Sequence, residues 1–190
     1  MIAKRLSVLV LIAWGLSVNT LQAAGNVGLD DIISYRQYSD ALSSSGQPTK
    51  RQIRALKDAG FERIVFLAFS DHDESIADED RVVKNLNMEY VQIPIEWEAP
   101  GKSDFYLFAG GMKQAPKKKT LVHCEVNFRA SAFSFLYRVL YENVPMDQAK
   151  DDMESVWVPN DTWRKLIFSI LEENGHSPDC DACLWDTDQG

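Results

Sequence analysis

One stretch brings together residue types that can do chemistry. In Thr120-Leu-Val-His-Cys-Glu-Val-Asn-Phe-Arg-Ala-Ser131 a thiol, Cys124, is followed five residues later by a guanidinium, Arg129. The apolar run ending at His123 reads as a buried strand, and Ala130 to Tyr141 has the spacing of an amphipathic helix. A thiol thus opens, and an arginine closes, a tight loop between strand and helix. The amides of Glu125, Val126, Asn127, Phe128 and Arg129, with the positive end of the helix dipole, form a cradle for an anion. Such a field favours the thiolate, the nucleophilic form of cysteine. Arginine can grip two anion oxygens in a planar fork. The chemistry that follows is attack by Cys124 on a tetrahedral oxyanion, most simply a phosphoester. The plainer reading, a structural cysteine at the end of a core strand, suits a lone cysteine. The His-Cys pair and the arginine at the turn favour the catalytic reading.

The elements that must hold this loop can be read on either side of it. Thr49 is a natural N-cap, with Gln52 completing a capping box. Ile53, Leu56 and Ala59 form a helical face, and Gly60 stops it. The continuous apolar run from Phe61 to Phe69 reads as a strand buried on both faces. A short helix follows over 78–87. Residues 89–95 alternate as a strand, with Pro94 near its end. Ser103 caps a helix ending near Ala115, with Phe105, Phe108 and Met112 inward. Helices over 146–156 and 162–174 complete the chain, the last capped by Asn160 or Asp161 and ended by Gly175. Ile32 to Tyr38 reads as a short strand and turn, and Ser43 to Pro48 as a polar turn. Strands near 62–68, 89–95 and 119–123 alternating with helices give an α/β three-layer fold with a largely parallel central sheet flanked by helices. Ligands of such sheets bind beyond the C-terminal ends of the strands. The Cys124 loop and the loop Glu96–Gly101 both fall there. A phosphoester cleavage also needs a proton donor for the leaving oxygen. Glu98 is the first candidate, with Glu96 and Asp104 behind it; Asp104 could equally cap the next helix.

With 45% hydrophobic and 25% charged residues, the 190-residue chain suits one folded domain, 25–175. A net charge of −8 argues against nucleic acid as a partner. Residues 1–24 read as a signal peptide. Lys4 and Arg5 precede a short apolar run from Leu6 to Val18, and Thr20-Leu-Gln-Ala-Ala24 offers small residues for cleavage. The apolar run is too short to span a bilayer comfortably, so no stable membrane insertion is expected after cleavage. The mature protein is expected in a bacterial periplasm or outside the cell. The segment Ser70-Asp-His-Asp-Glu-Ser75 reads as a solvated acidic loop, since His72 has no second histidine at ligand spacing. In the tail, 176–190, Cys180 and Cys183 form a C-x-x-C. In an oxidising compartment this reads as a local disulfide, or as a pair that reduces oxidised Cys124.

Residues 30–145 resemble the bacterial dual-specificity-phosphatase-like proteins, relatives of the cysteine-dependent tyrosine phosphatases. The residues that carry the resemblance are Ser45-Gly-Gln-Pro-Thr49 with its helix, the strand ending Ile93-Pro-Ile-Glu-Trp97, Asp104-Phe105, and the loop His123 to Ser131. The resemblance implies a phosphatase-like fold and a cysteinyl-phosphate on Cys124. Arg129 would bind phosphate oxygens, His123 would orient the loop, and Ser131 would give support. It implies no metal and no cofactor, and a phosphorylated small molecule or phosphoprotein as partner. The loop departs from the usual pattern: four residues rather than five separate cysteine from arginine, Asn127 replaces a glycine, and Ala130 stands where a hydroxyl is usual. Four is also the length found in rhodanese-like sulfurtransferases, whose cysteine carries a persulfide. That enzyme class, and a catalytically weak anion- or partner-binding module, are the alternatives.

Overall fold

Leu121 and Val122 point to opposite sides of one strand, so each side needs a covering layer. A computed structural model, which describes residues 28–72, 75–179, 183 and 185, supplies both. The strands are β1 (Arg36–Gln37), β2 (Leu42–Ser45), β3 (Arg63–Phe66), β4 (Glu89–Gln92) and β5 (Thr120–His123). They form one sheet in the order β1-β2-β5-β3-β4, with β5 at its centre. Only the β1–β2 pair is antiparallel. His123 lies in register with Ser45 on one side and Phe66 on the other.

Leu121 and Ile64 pack with Ile53 and Leu56 of α1 (Lys50–Asp58) and Val83 of α2 (Glu79–Asn85). Val122 and Val65 face the other way. There they join Phe105 of α3 (Lys102–Gln114), Phe133 of α4 (Phe128–Tyr141), Met153 of α5 (Met146–Glu154) and Trp163 of α6 (Asp161–Glu173). This is the expected three-layer α/β fold with a largely parallel sheet. The sequence signals at the helix ends act as expected. Thr49 Oγ1 accepts from Gln52 N, and Gln52 Oε1 from Thr49 N, at 3.3 and 2.8 Å. Asn160 caps α6 by accepting from Trp163 N. Gly60 and Gly175 take positive φ just beyond their helices.

Three elements differ from expectation. The serines at 43–45 form a buried strand, β2, not a turn. Serine suits a buried strand when its hydroxyl is satisfied. Here Ser43 meets the Tyr35 hydroxyl at 3.1 Å, Ser44 meets that of Tyr38 at 2.7 Å, and Ser45 donates to Gly46 O. The short strand and turn expected over Ile32–Tyr38 are there, as a turn followed by the two-residue edge strand β1. Helix α3 starts at Lys102, with Gly101 rather than Ser103 as N-cap. The Asp104 carboxylate accepts from Gly101 N at 2.9 Å. Finally, α4 is not amphipathic: every residue from Arg129 to Val139 is buried. It is the central helix of its layer; Arg138 pairs with Asp152 at 2.7 Å, whereas the buried Ser134 hydroxyl has no hydrogen-bond partner among the described residues.

Residues 1–24, expected as a signal peptide, lie outside the described residues, as does Cys180. Cys183 is disulfide-bonded. Its neighbour Trp185 packs edge-on against Phe135 and Phe168, which holds the tail on α4 and α6.

Candidate active site

Cys124 is the first residue beyond β5, at the C-terminal end of the central strand. It is a free thiol, fully buried. The loop after it is clamped from the side of β2. Cys124 N donates to Ser45 O, Gln47 N donates to Glu125 O at 2.9 Å, and Gly46 pairs with Val126. The Ser-Gly-Gln-Pro element is thus the wall against which the cysteine loop is moulded. Asn127 takes φ +79°, the conformation expected for a residue in the glycine's place. Its Nδ2 donates to Ser34 O at 2.7 Å, and its carbonyl accepts from Ser131 N in the first turn of α4. A β-carbon added at Gly46 would stand 2.7 Å from Glu125 O and 2.8 Å from Ile33. Neither contact is with the free end of a flexible chain. Gly46→Ala is therefore expected to push the loop aside and lower turnover by about 10²-fold, with a smaller loss of stability. Kinetics and thermal melting of the same sample check this.

Behind the thiol lies a buried polar chain that sequence reading did not anticipate. The His123 ring stacks on Phe66 at 4.7 Å. Its Nε2 stands 3.1 Å from Glu79 Oε1, both groups nearly inaccessible to water, although the pair lacks the alignment of a hydrogen bond. The other Glu79 oxygen accepts from Gln47 Nε2 at 3.1 Å. Gln47 therefore joins the cysteine loop, through its backbone, to the glutamate beside His123. Tyr90 also faces this carboxylate: its hydroxyl is pushed well above the ordinary range by burial first, then by the charges of Glu79 and Asp80. In the sequence, Glu79 looks like any acid in the first turn of a helix, and nothing there marks it. Glu79→Ala would take from Gln47 Nε2 its shorter hydrogen bond, leaving the 3.4 Å one to Pro48 O, and would remove the carboxylate that faces the buried His123 ring. The expected cost is roughly 2–3 kcal/mol, or a melting temperature lower by about 5–10 °C, read by thermal unfolding.

Arg129 is almost wholly buried at the start of α4. Its Nε donates to Ile95 O at 3.1 Å, and its Nη1 lies 3.4 Å from Glu125 Oε1. Its guanidinium sits over the Trp97 ring at 5.3 Å. The loop after β4 is thus brought against the cysteine loop, as expected, but by Ile95 and Trp97. Glu96 and Glu98 flank Trp97 and are exposed. Asp104, the third proton-donor candidate, is engaged as the cap of α3. The Ser131 hydroxyl donates to Phe128 O and accepts from Trp157 Nε1, so its support goes to α4 and to a tryptophan. A cavity of about 650 Å³ lies elsewhere, between α3 and the β3–β4 edge, lined by Val65, Val91, Phe108 and Met112. Neither Cys124 nor Arg129 lines it.

A thiol thus ends the central parallel strand, and a buried arginine at the start of the next helix closes the loop that follows it. No family model and no curated protein sequence matches the chain. Solved structures place it more closely. The chain belongs to the DUF442 family: it is 33% identical to a DUF442 candidate phosphatase from Shewanella putrefaciens CN-32, over 78% of this chain and 97% of that one, with a TM-score of 0.71. Tk-PTP, at 15% identity, covers 73% of this chain and 97% of its own with a TM-score of 0.63. The core catalytic domain of the PP-IP phosphatase SIW14 from S. cerevisiae, at 12%, covers 77% and 86% with a TM-score of 0.57. These two likenesses show the fold alone.

Proposed function

We propose that this protein is an exported phosphatase that hydrolyses phosphomonoesters through a cysteinyl-phosphate on Cys124, in the manner of the tyrosine and dual-specificity phosphatases. The observation that supports it most is the single short loop holding both Cys124 and Arg129, moulded on the Ser45–Pro48 element. In the first step the Cys124 thiolate attacks phosphorus, an S–P bond forms and the P–O ester bond breaks. Arg129 and the loop amides hold the phosphoryl oxygens as charge shifts. The leaving alkoxide takes a proton, with Glu98 proposed as donor and Glu96 next to it as the second candidate. In the second step water attacks phosphorus, the S–P bond breaks, and inorganic phosphate and the thiolate are released.

The substrate is a phosphorylated small molecule or phosphoprotein outside the cytoplasm. Residues 1–24 support export, and the N-terminal sequence of the mature protein checks it. Hydrolysis of a small aryl phosphate by the mature chain, under reducing conditions and without added metal, tests the activity directly. The four-residue spacing of the loop favours one other reading, sulfane-sulfur transfer through a Cys124 persulfide. Thiocyanate formation from thiosulfate and cyanide, without phosphatase turnover, would decide for it.

A further inference from the structure

The anion cradle is bordered by aromatic rings from three separate elements. Trp97 comes from the loop after β4, Phe128 from the first residue of α4, and Trp157 from the segment after α5. Phe128 stacks on Trp157 at 4.7 Å, and Trp97 lies 5.3 Å from Trp157 and 6.0 Å from Phe128. Trp163 backs the group from the core, 5.3 Å from Trp97, with its Nε1 donating to Trp97 O. The three outer rings remain partly exposed to solvent. Val126 in the loop and Val158 after Trp157 are among the few large apolar side chains that are well exposed, at 42% and 36%. Apolar surface left uncovered usually marks a place where something binds. The rim is also continuous with the cradle, because Arg129 lies over the face of Trp97 and directly follows Phe128.

A phosphate held by Arg129 must direct its ester oxygen outward. Whatever alcohol it carries then lies at the mouth of the cradle, against this rim. We infer that Trp97, Phe128 and Trp157 form a leaving-group subsite that selects phosphomonoesters of apolar alcohols and discriminates against sugar and polyol phosphates. This rests on the phosphatase reading for its cradle. A hydroxyl-rich group would lose its hydration on the rings without gaining partners, whereas an aryl or alkyl group would bury apolar surface on both sides. The acidic chain, at −8, adds no charge that would draw a polyanionic substrate beyond the single phosphate.

The test uses phosphonates, which bind without turnover, so affinity is read apart from leaving-group chemistry. Phenylphosphonate, hexylphosphonate, methylphosphonate and inorganic phosphate are titrated calorimetrically into the wild type, Trp157→Gln and Val158→Gln. In the wild type the phenyl and hexyl compounds are expected to bind about tenfold more tightly than methylphosphonate. Trp157→Gln is expected to abolish most of that preference, and Val158→Gln, at an exposed position outside the three rings, to reduce it in part while leaving inorganic phosphate affinity within about twofold. Equal affinity for all the phosphonates overturns the subsite, as does binding of none of them, or a preference that survives both substitutions. Aryl phosphate turnover in the same wild-type sample judges the phosphatase reading separately, so the two can fail independently.

Discussion

Cys124→Ser is expected to lower turnover of a small aryl phosphate by on the order of 10⁴-fold or more while the chain stays folded. The substitution suits the site sterically, since a hydroxyl is smaller than the thiol it replaces in a fully buried position. What it removes is the nucleophile. A hydroxyl needs a base to become one, and the imidazole of the preceding residue, His123, is stacked on Phe66 and set against Glu79. The loop amides and Arg129 remain, so the variant should still hold inorganic phosphate. Steady-state kinetics gives the loss, and a phosphate-dependent rise in melting temperature shows that the cradle survives. Activity within tenfold of the wild type would remove Cys124 from the reaction. A retained phosphate response with no turnover in the wild type either would leave an anion-binding module.

Arg129→Ala is expected to cost about 10²–10³-fold in turnover and to abolish the phosphate-dependent stabilisation. The reason lies in how the guanidinium is divided. Its Nε is committed to Ile95 O, which fixes the plane of the fork and ties down the loop after β4. The remaining edge faces Glu125, from which an anion must displace it. That pair is long for a charge-assisted bond, at 3.4 Å, and its Glu125 side is partly open to solvent, so a phosphate bearing more charge should compete with it. Arg129→Lys keeps the charge but cannot bond Ile95 O and grip two oxygens at once. It should recover little of the activity. Full activity in Arg129→Lys would mean that charge alone, without the fork, is enough.

Much of the site was legible because its signal is local. A thiol and a guanidinium five residues apart, between an apolar run and a helix, can only be juxtaposed one way when the strand is central. Asn127 could be read as a positive-φ residue for the same reason, and φ +79° agrees. The rest was hidden where long-range pairing overrides local composition. Ser43 to Ser45 read as a turn because serine, glycine and proline punctuate turns. Only the sheet brings Tyr35 and Tyr38 to their hydroxyls, which lets serines line a buried strand. Helix α4 read as amphipathic because Ser131, Ser134 and Arg138 look solvent-facing, yet all three are buried. Glu79 and Gln47 join His123 from two different elements, a meeting that no spacing along the chain announces. Trp97, Phe128 and Trp157 come from three separate elements, and only the fold brings their rings together beside the cradle.

The covalent intermediate is the most direct thing to look for. Protein mixed with an aryl phosphate and quenched in acid during turnover would be analysed by intact-mass and peptide mass spectrometry. The expected result is one added phosphoryl group on the peptide containing Cys124, absent from Cys124→Ser. Turnover with Cys124 unmodified at every quench time would contradict the mechanism, and a single added sulfur after thiosulfate, with no phosphoryl adduct, would assign the loop to sulfur transfer instead.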